Sequence, residues 1–320
     1  MVDVTAATRW VQGHIDSGFL PGAVLGVLTR DGVVAVEAFG DAQPEDRYPI
    51  FSATKPLVGM VAAQHFASGA LSLDTEVTSV IPDFGGGRDD RVTLRHLGSH
   101  TCGIPDPDLD DPTPLDQALV AAGRSFVAGT ACQYSSLAFQ GIARMAERAG
   151  GDPWEDQLAA MLTRVGASGL TMDTADTPHV PLMNPEARVD WDSFCEARHP
   201  GAGATATVAD MLAIAASLLK DDGALVPPAT LATMREAVTL GIPDFDTTVP
   251  ARRSEWAFTW NLRRAMPGLA ASDGFGHAGW DGCEFWIHPE HDVAFVLLTN
   301  VLGAEALGLD PLTLAAALTD

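Results

Sequence analysis

The chain has 320 residues, of which 47% are hydrophobic, so it is long enough to bury a substantial core. Its 42 acidic residues against 19 basic ones give a formal net charge of -23, and so acidic a surface repels phosphate backbones and anionic lipids. We therefore expect no nucleic-acid or membrane partner. The first residues show no signal-peptide pattern and no apolar stretch reaches the roughly 20 residues that span a bilayer, so we expect a cytoplasmic location.

Periodicity and turn signals predict strands near both ends of the chain and helices between them. Asp31-Gly32 lies between two β-rich runs and predicts an antiparallel hairpin, because a two-residue type I′ turn needs positive φ. The predicted elements, in chain order, are a helix over 5–17, strands over 23–29 and 33–39, helices over 54–68, 92–100, 135–149, 154–165, 207–219 and 228–238, strands over 256–262, 283–288 and 293–299, and a closing helix over 310–318.

Strands from the two ends of a chain can share one sheet, and a helical insertion between them then forms a second lobe. The predicted fold class is therefore α/β (α+β), an antiparallel sheet flanked by N- and C-terminal helices plus an inserted all-helical lobe. We assign residues 1–50 and 251–320 to the sheet lobe and residues 51–250 to the mainly helical lobe. The active site is expected in the cleft between them.

Ser52 and Lys55 form a Ser-x-x-Lys motif at the predicted start of a helix. Residues i and i+3 lie on the same helix face, so the amine of Lys55 can reach the Ser52 hydroxyl, which needs a base to become a good nucleophile. Lys55 and Lys220 are the only lysines of the chain, and arginine could not serve as the base because it does not deprotonate in proteins. The alternative is an ordinary serine at a helix start beside a solvated lysine.

Tyr134 precedes Ser135 and Ser136 directly before another predicted helix, and it is one of only two tyrosines. A phenol whose proton is drawn off by a nearby positive charge can act as a general base. The alternative is a half-buried tyrosine that packs at a helix start.

A glycine-rich segment over 276–282 precedes a predicted strand and contains His277, Gly279 and Trp280. Glycine at a strand edge lets a substrate approach the backbone closely, and a backbone N–H there can stabilise an oxyanion. The alternative is a glycine-rich hairpin with an incidental histidine.

Metal and disulfide chemistry find little support in the sequence. The four cysteines show no C-x-x-C pairing, which favours free thiols in a reducing compartment. His96 and His100 lie one turn apart but lack a third ligand at suitable spacing, so a helix- or turn-capping role is expected. We expect no metal and no organic cofactor.

The motifs Ser52-Ala53-Thr54-Lys55, Tyr134-Ser135-Ser136 and His277-Ala278-Gly279 occur in the order of the three motifs of the serine β-lactamase-like and penicillin-binding-protein-like family, which the chain resembles. Segments 21–30, 92–104, 285–292 and 296–300 resemble its first strand, the helix and turn before its active-site loop, and its closing hairpin. This family includes class C β-lactamases, D-Ala-D-Ala peptidases, β-lactamase-fold esterases and some acyltransferases.

The resemblance implies a role for each candidate residue. Ser52 would attack an acyl carbon and form an acyl-enzyme, while Lys55 and Tyr134 would share its proton and later help to activate water or another acceptor. Backbone N–H groups of Ser52 and Trp280 would hold the oxyanion. The implied substrate-binding residues beside these two are Ser136, His277 and Gly279, with His277 where β-lactamases carry the lysine of Lys-Thr-Gly.

Two departures from the family pattern bear on the substrate. Ser136 stands where the family usually has asparagine, whose side chain hydrogen-bonds the substrate amide and the Ser-x-x-Lys lysine. The chain is also short for a class C β-lactamase, and loop 40–49 looks trimmed. Both departures, together with the expected cytoplasmic location, weigh against a β-lactam or cell-wall substrate.

The leading hypothesis is a serine hydrolase that cleaves an ester or amide of a small molecule through an acyl-serine intermediate, in carboxylesterase-like fashion. The alternatives are a biosynthetic acyltransferase that uses the same acyl-enzyme, a β-lactamase or D-amino-acid peptidase, and an inactive binding module on the same fold. The sequence leaves the substrate, the acyl acceptor and the oligomeric state open.

Overall fold

The computed structural model describes residues 2–177, 179–184, 189–245, 255–262 and 273–319. The predicted fold class is confirmed: helices pack around an antiparallel sheet. The strands are β1 Gly22–Thr29, β2 Gly32–Gly40, β3 Arg47–Pro49, β4 Thr205–Thr207, β5 Glu255–Trp256, β6 Asn261–Leu262, β7 Phe275–Ala278, β8 Glu284–His288 and β9 Val293–Leu298.

The described helices connect and cover these strands. They are α1 Thr5–Asp16, α2 Lys55–Ala63, α3 Val77–Val80, α4 Leu94–Gly98, α5 Leu115–Ala121, α6 Ala138–Gly150, α7 Trp154–Thr163, α8 Trp191–Ala197, α9 Val208–Lys220, α10 Pro228–Met234 and α11 Pro311–Thr319. Among the described helices, none combines the length and the apolar character that crossing a membrane requires.

Strands from the two ends of the chain share one seven-stranded sheet in the order β2-β1-β9-β8-β7-β6-β5, and every described pairing in it is antiparallel. In the register of β1, Val24 faces Ala38 of β2 and Leu298 of β9. The short strands β3 and β4 pair separately. This topology makes β1 and β9, from the two ends of the chain, neighbours inside the sheet.

Each face of the sheet is covered by helices because its strands alternate their side chains between two apolar clusters. On one face, Leu25 and Val27 of β1 pack with residues of α1 and α11. On the other face, Val24 and Leu28 join the main core, which includes α2, α6 and α9. Gly26 permits close packing of α9, since a Cβ there would lie 2.8 Å from side-chain atoms of Val208 and Leu212.

The division into a sheet lobe and a helical lobe stays a prediction. Helix α9, which lies within the segment predicted as helical lobe, packs directly against β1, β8 and β9. Its start agrees with the sequence, because Thr207 and Asp210 form the expected capping box, each side chain accepting the backbone N–H of the other.

The strand predicted over 256–262 is wrong. The chain reverses there, and β5 pairs with β6 as two short antiparallel strands. Thr259 has a φ of +63°, and its N–H donates to the Gly98 carbonyl oxygen over 2.8 Å. The apolar run that indicated a strand instead buries Ala257, Phe258 and Trp260 in the main core around a tight turn.

Two further differences from the predicted elements lie near the candidate site. Helix α2 begins at Lys55 after a 3₁₀ helix over Phe51–Thr54, and it ends at Ala63, earlier than predicted. Strand β7 was not predicted, because Gly274 and Gly276 weaken the strand pattern. Both differences affect candidate residues, because Ser52 lies in the 3₁₀ helix and His277 lies in β7.

Candidate active site

Ser52 lies in the 3₁₀ turn that leads into α2, behind a strained residue. Phe51 has a φ of +40°, which side chains other than glycine rarely adopt. Its ring is fully buried, 5.3 Å from the ring centroid of Phe194 and 5.8 Å from that of Trp280. Packing on both sides holds the strained backbone in place, a common arrangement at catalytic sites.

Lys55 is completely buried, and its amine has an oxygen acceptor for each of its three hydrogens. Nζ donates to Ser52 Oγ over 3.0 Å, to Ser136 Oγ over 3.1 Å and to the Gly201 carbonyl oxygen over 2.8 Å. When the amine loses a proton, Ser136 and Gly201 can still accept its two remaining hydrogens. The lone pair then faces the Ser52 hydroxyl.

Burial lowers the pKa of Lys55 from its ordinary value to about 7, against the opposing charge of Asp106. A substantial fraction of the side chain is therefore neutral near pH 7. A neutral amine within hydrogen-bond distance of a serine hydroxyl can accept its proton. The geometry and the charge state of Lys55 thus both suit a general base.

Tyr134 lies over Lys55, in the segment that precedes α6. The Lys55 Nζ is 4.6 Å from the centroid of the tyrosine ring, and His100 stacks on the same ring with centroids 4.3 Å apart. The segment is fixed by Asp106, whose carboxylate accepts the N–H groups of Ser136 over 2.6 Å and Leu137 over 3.0 Å. This anchoring explains why α6 begins at Ala138, later than the sequence predicted.

The segment from His277 to Trp280 closes the opposite side. Strand β7 packs against the 3₁₀ turn of Ser52, and a Cβ at Gly279 would lie 2.8 Å from the Ile50 carbonyl oxygen. Glycine is therefore required at this close approach. The His277 ring lies 6.3 Å from that of Tyr134. Within the described residues, the backbone N–H of Trp280 donates no hydrogen bond.

A buried pair lies behind this segment. The Cys283 thiol contacts the Asp281 carboxyl with Sγ and Oδ2 3.2 Å apart, and both side chains are fully buried. Burial raises the pKa of Asp281 to about 8 and that of Cys283 well above its ordinary value, so neither group is ionised readily. Cys283 is accordingly a poor nucleophile.

All four cysteines are free thiols, as the sequence predicted, and the structure shows that they are also buried. His96 caps α4, because its Nδ1 accepts the Thr93 N–H over 3.2 Å. The described part of the chain holds no group of three or more His, Cys, Asp or Glu side chains that could bind a metal.

The structure brings all the sequence-predicted residues into one region, and it adds five that the sequence did not assign to the site. Ser52, Lys55, Ser136 and Tyr134 meet around the lysine amine, and the β7 segment lies beside them. The additional residues contact Lys55 or Tyr134 directly or hold the segments that do: His100, Asp106, His199, Gly201 and Trp256. For His199 and Gly201, the available signal was the glycine-rich run over 199–203.

An antiparallel sheet with helices on both faces and a buried Ser-x-x-Lys lysine are the features of a β-lactamase-fold protein. The chain belongs to the Beta-lactamase family, whose family model matches residues 7–318. Members of this fold family are serine hydrolases, including esterases and amidases.

Curated relatives carry different activities. Esterase EstB from Burkholderia gladioli is 30% identical over 168 residues, which span 44% of this chain and 41% of the relative. Penicillin-binding protein 4 from Amycolatopsis lactamdurans is 27% identical over 302 residues, 86% of this chain and 76% of the relative. This chain thus spans less than half of EstB.

Among solved structures, EstCE1, described as a hydrolase with promiscuous acyltransferase activity, superposes with a TM-score of 0.78. The match covers 99% of this chain and 98% of EstCE1 at 19% sequence identity. At this identity the similarity shows the fold alone.

Proposed function

We propose that the protein is a carboxylesterase-like serine hydrolase that cleaves esters of small molecules through an acyl-Ser52 intermediate. The observation that carries the proposal is the 3.0 Å contact between Lys55 Nζ and Ser52 Oγ at a lysine whose pKa is lowered to about 7 by burial.

In the first step, neutral Lys55 takes the Ser52 hydroxyl proton while Oγ forms a bond to the acyl carbon. The carbonyl oxygen becomes an oxyanion, and in this proposal it accepts hydrogen bonds from the backbone N–H groups of Ser52 and Trp280. The tetrahedral intermediate collapses by breaking the bond to the alcohol oxygen, which receives the proton from Lys55 or Tyr134. Water then attacks the acyl-enzyme in the reverse sequence and releases the acid and free Ser52.

Tyr134 serves in this scheme as the second proton-handling group. Its ring lies against the Lys55 amine, and a positive charge there stabilises the phenolate form of a tyrosine. The leaving alcohol is thus flanked by two groups that exchange protons with it.

An ester substrate fits the site better than an amide. Ser136 uses its hydroxyl to accept from Lys55, and it is too short to reach toward a substrate amide as the family's asparagine does. The esterase relative supports the same preference. We expect a p-nitrophenyl ester to turn over faster than the p-nitroanilide of the same acid, and penicillins to be poor substrates.

A second candidate function is acyl transfer to an alcohol or amine. Phe51, next to the nucleophile, belongs to an apolar cluster against which Leu109 packs from the Asp- and Pro-rich loop over 105–114. The Trp280 side chain contacts the Phe51 ring and is 39% exposed. This apolar cluster can favour the binding of an apolar acyl acceptor and limit the access of water, which competes for the acyl-enzyme. EstCE1 offers a structural precedent for both activities on this fold. Product analysis with added primary alcohols and amines separates the two functions: acyl transfer gives the ester or the amide of the added acceptor, and hydrolysis gives the free acid.

We further propose a small-molecule acyl substrate as the physiological partner and the cytoplasm as the location. The acidic net charge of -23 and the four free, buried thiols support both. Fractionation of the native host, followed by detection of the protein in the cytosolic fraction, tests the location.

Pre-steady-state kinetics with p-nitrophenyl butyrate test the main proposal. We expect a burst of p-nitrophenol close to one equivalent per active site, followed by slower turnover. Ser52→Ala removes the burst and lowers turnover by about 10³-fold or more. Ser68→Ala, at an exposed serine after α2, is the matched control and leaves both unchanged. Unchanged turnover in Ser52→Ala contradicts the proposal, and failure of the protein to label with a fluorophosphonate or a penicillin probe favours the inactive binding module.

A further inference from the structure

Two buried histidines lie near Lys55 and make the same kind of contact. His100 Nδ1 accepts the Ser135 N–H over 3.1 Å, and His199 Nδ1 accepts the Gly201 N–H over 2.9 Å. The two side chains are 0% and 2% exposed. Each histidine therefore holds a backbone segment by an acceptor that water cannot replace.

Both segments supply an oxygen to the lysine amine. Ser135 immediately precedes Ser136, whose Oγ accepts from Lys55, and the Gly201 carbonyl oxygen accepts from Lys55 directly. The histidines thus act on Lys55 indirectly, by holding the segments that carry its acceptors. Two of the three oxygens around the amine depend on them.

Each contact requires a neutral imidazole. A ring nitrogen that accepts an N–H carries no proton, so the remaining hydrogen of each ring lies on Nε2. Burial, reinforced by the positive charge of Lys55, lowers the pKa of His199 to about 3 and that of His100 well below its ordinary value. His277 adds to the effect on His100. Both rings therefore stay neutral throughout the pH range in which Lys55 titrates.

The surrounding backbone is built around these two rings. His100 has a φ of +59°, stacks on Tyr134 and meets the edge of Trp256 with centroids 4.4 Å apart. The His199 carbonyl oxygen accepts the N–H groups of Ala202 and Gly203, which closes a tight turn around Gly201. The strained backbone of His100 and the closed turn at His199 each fix the direction of the ring's Nδ1 atom.

We propose that His100 and His199 are positioning residues that hold, through unprotonated Nδ1 atoms, the two segments whose oxygens accept from Lys55. The inference rests on the proposed function, because it assigns Lys55 as the base. Loss of either contact leaves the ammonium form of Lys55 less well solvated by the protein, which lowers the pKa of the lysine and loosens the direction of its lone pair.

The presence of only two lysines allows a direct test without turnover. Protein labelled with ¹³C-lysine gives two Cε signals, and Lys220→Arg, at an exposed position in the last turn of α9, assigns the one that belongs to Lys55. We expect Lys55 to titrate with a pKa of about 7 in the wild-type protein. In His199→Leu this pKa falls by about one unit, since a hydrogen bond to the charged form is lost.

His199→Asn is the rescue variant, because the asparagine side-chain oxygen can accept the Gly201 N–H, and we expect it to restore most of the Lys55 pKa. At position 100, the pair is His100→Gly and His100→Asn, which tolerate positive φ and differ in the presence of an acceptor. In kinetic measurements the variants without an acceptor lose about tenfold in kcat with little change in KM, and the acid limb of the pH profile moves to lower pH.

His288→Leu is the control for the loss of a buried histidine. His288 lies at the end of β8, stacked on Phe295. We expect a lower melting temperature without a shift of the Lys55 titration. The inference is overturned if the pKa of Lys55 is the same in His199→Leu and His100→Gly as in the control His288→Leu. A titration shift in a protein that shows no acyl-enzyme would instead refute the proposed function and keep the positioning role.

Discussion

The start of α2 and the end of α9 carry the two lysines of this chain in opposite surroundings. Lys220 is exposed in the last turn of α9, where a positive charge interacts favourably with the helix dipole. Lys55 is buried among three oxygens, and burial lowers its pKa to about 7. The same side chain is a surface charge in one region and a base in the other, so a lysine acts as a base only where burial and oriented acceptors surround it.

Replacement of each lysine by arginine tests this contrast most strongly. Lys55→Arg keeps a positive charge but removes the titratable base, and we expect kcat/KM for p-nitrophenyl butyrate to fall by about 10³-fold. Lys220→Arg keeps wild-type activity, because arginine serves equally well at an exposed helix end. Equal activity of the two variants would contradict the assignment of Lys55 as the base.

The two tyrosines provide a second matched pair. Tyr134→Phe keeps the ring against Lys55 but removes the phenolic proton, so we expect kcat to fall by about 10²-fold. Tyr48→Phe, at a tyrosine buried in the main core, is the control and affects melting temperature more than kcat. The steady-state rates of the purified variants check this. A Tyr134→Phe enzyme with wild-type kcat would reduce Tyr134 to a packing residue.

The low pKa of Lys55 also predicts the pH dependence of the reaction. The amine must be neutral to accept the Ser52 proton, and below a pKa of about 7 it becomes protonated. We therefore expect kcat/KM to fall by about tenfold for each pH unit below that value, since the active fraction falls in proportion. A profile that stays flat down to pH 5 would be incompatible with a lysine base.

The sequence predicts the contacts of Lys55 with residues near it in the chain, but not its contacts with residues far away in the chain. Ser52 and Lys55 were found because i and i+3 contacts follow from helix geometry alone. Gly201 and Ser136 lie 146 and 81 positions from Lys55, and nothing in a single sequence states that they meet it. The family resemblance indicated Ser136 by order of motifs, whereas Gly201, Asp106 and the two histidines became visible only through the folded backbone.

The fold shows the same limit. Strands β1, β2, β8 and β9 were predicted close to their observed bounds, since β-rich apolar runs and the Asp31-Gly32 turn are local signals. The strand predicted over 256–262 failed because its apolar residues pack around a turn held by the distant Gly98 carbonyl oxygen. A tertiary contact overrode the local preference there.

The smallest expected effect concerns the start of α9, the helix that carries Lys220 at its other end, where we expect changes in stability alone. Thr207→Ala removes the side-chain acceptor that caps α9, and we expect it to lower the free energy of unfolding by about 1 kcal/mol with kcat unchanged. Thr163→Ala, at the exposed end of α7, is the control and changes stability by less than about 0.5 kcal/mol. Urea denaturation of the wild-type protein and the two variants measures both changes in the free energy of unfolding. A loss of kcat in Thr207→Ala would show that the α9 region is coupled to the site.

The covalent intermediate itself provides the most direct measurement. The enzyme is mixed with p-nitrophenyl butyrate, quenched in acid during the burst, and analysed by intact-protein mass spectrometry and peptide mapping. We predict a mass increase of one butyryl group on the peptide that contains Ser52, absent in Ser52→Ala and formed much more slowly in Lys55→Arg. A butyryl group on another residue, or turnover by the wild-type enzyme with every trapped fraction unmodified, would contradict the account.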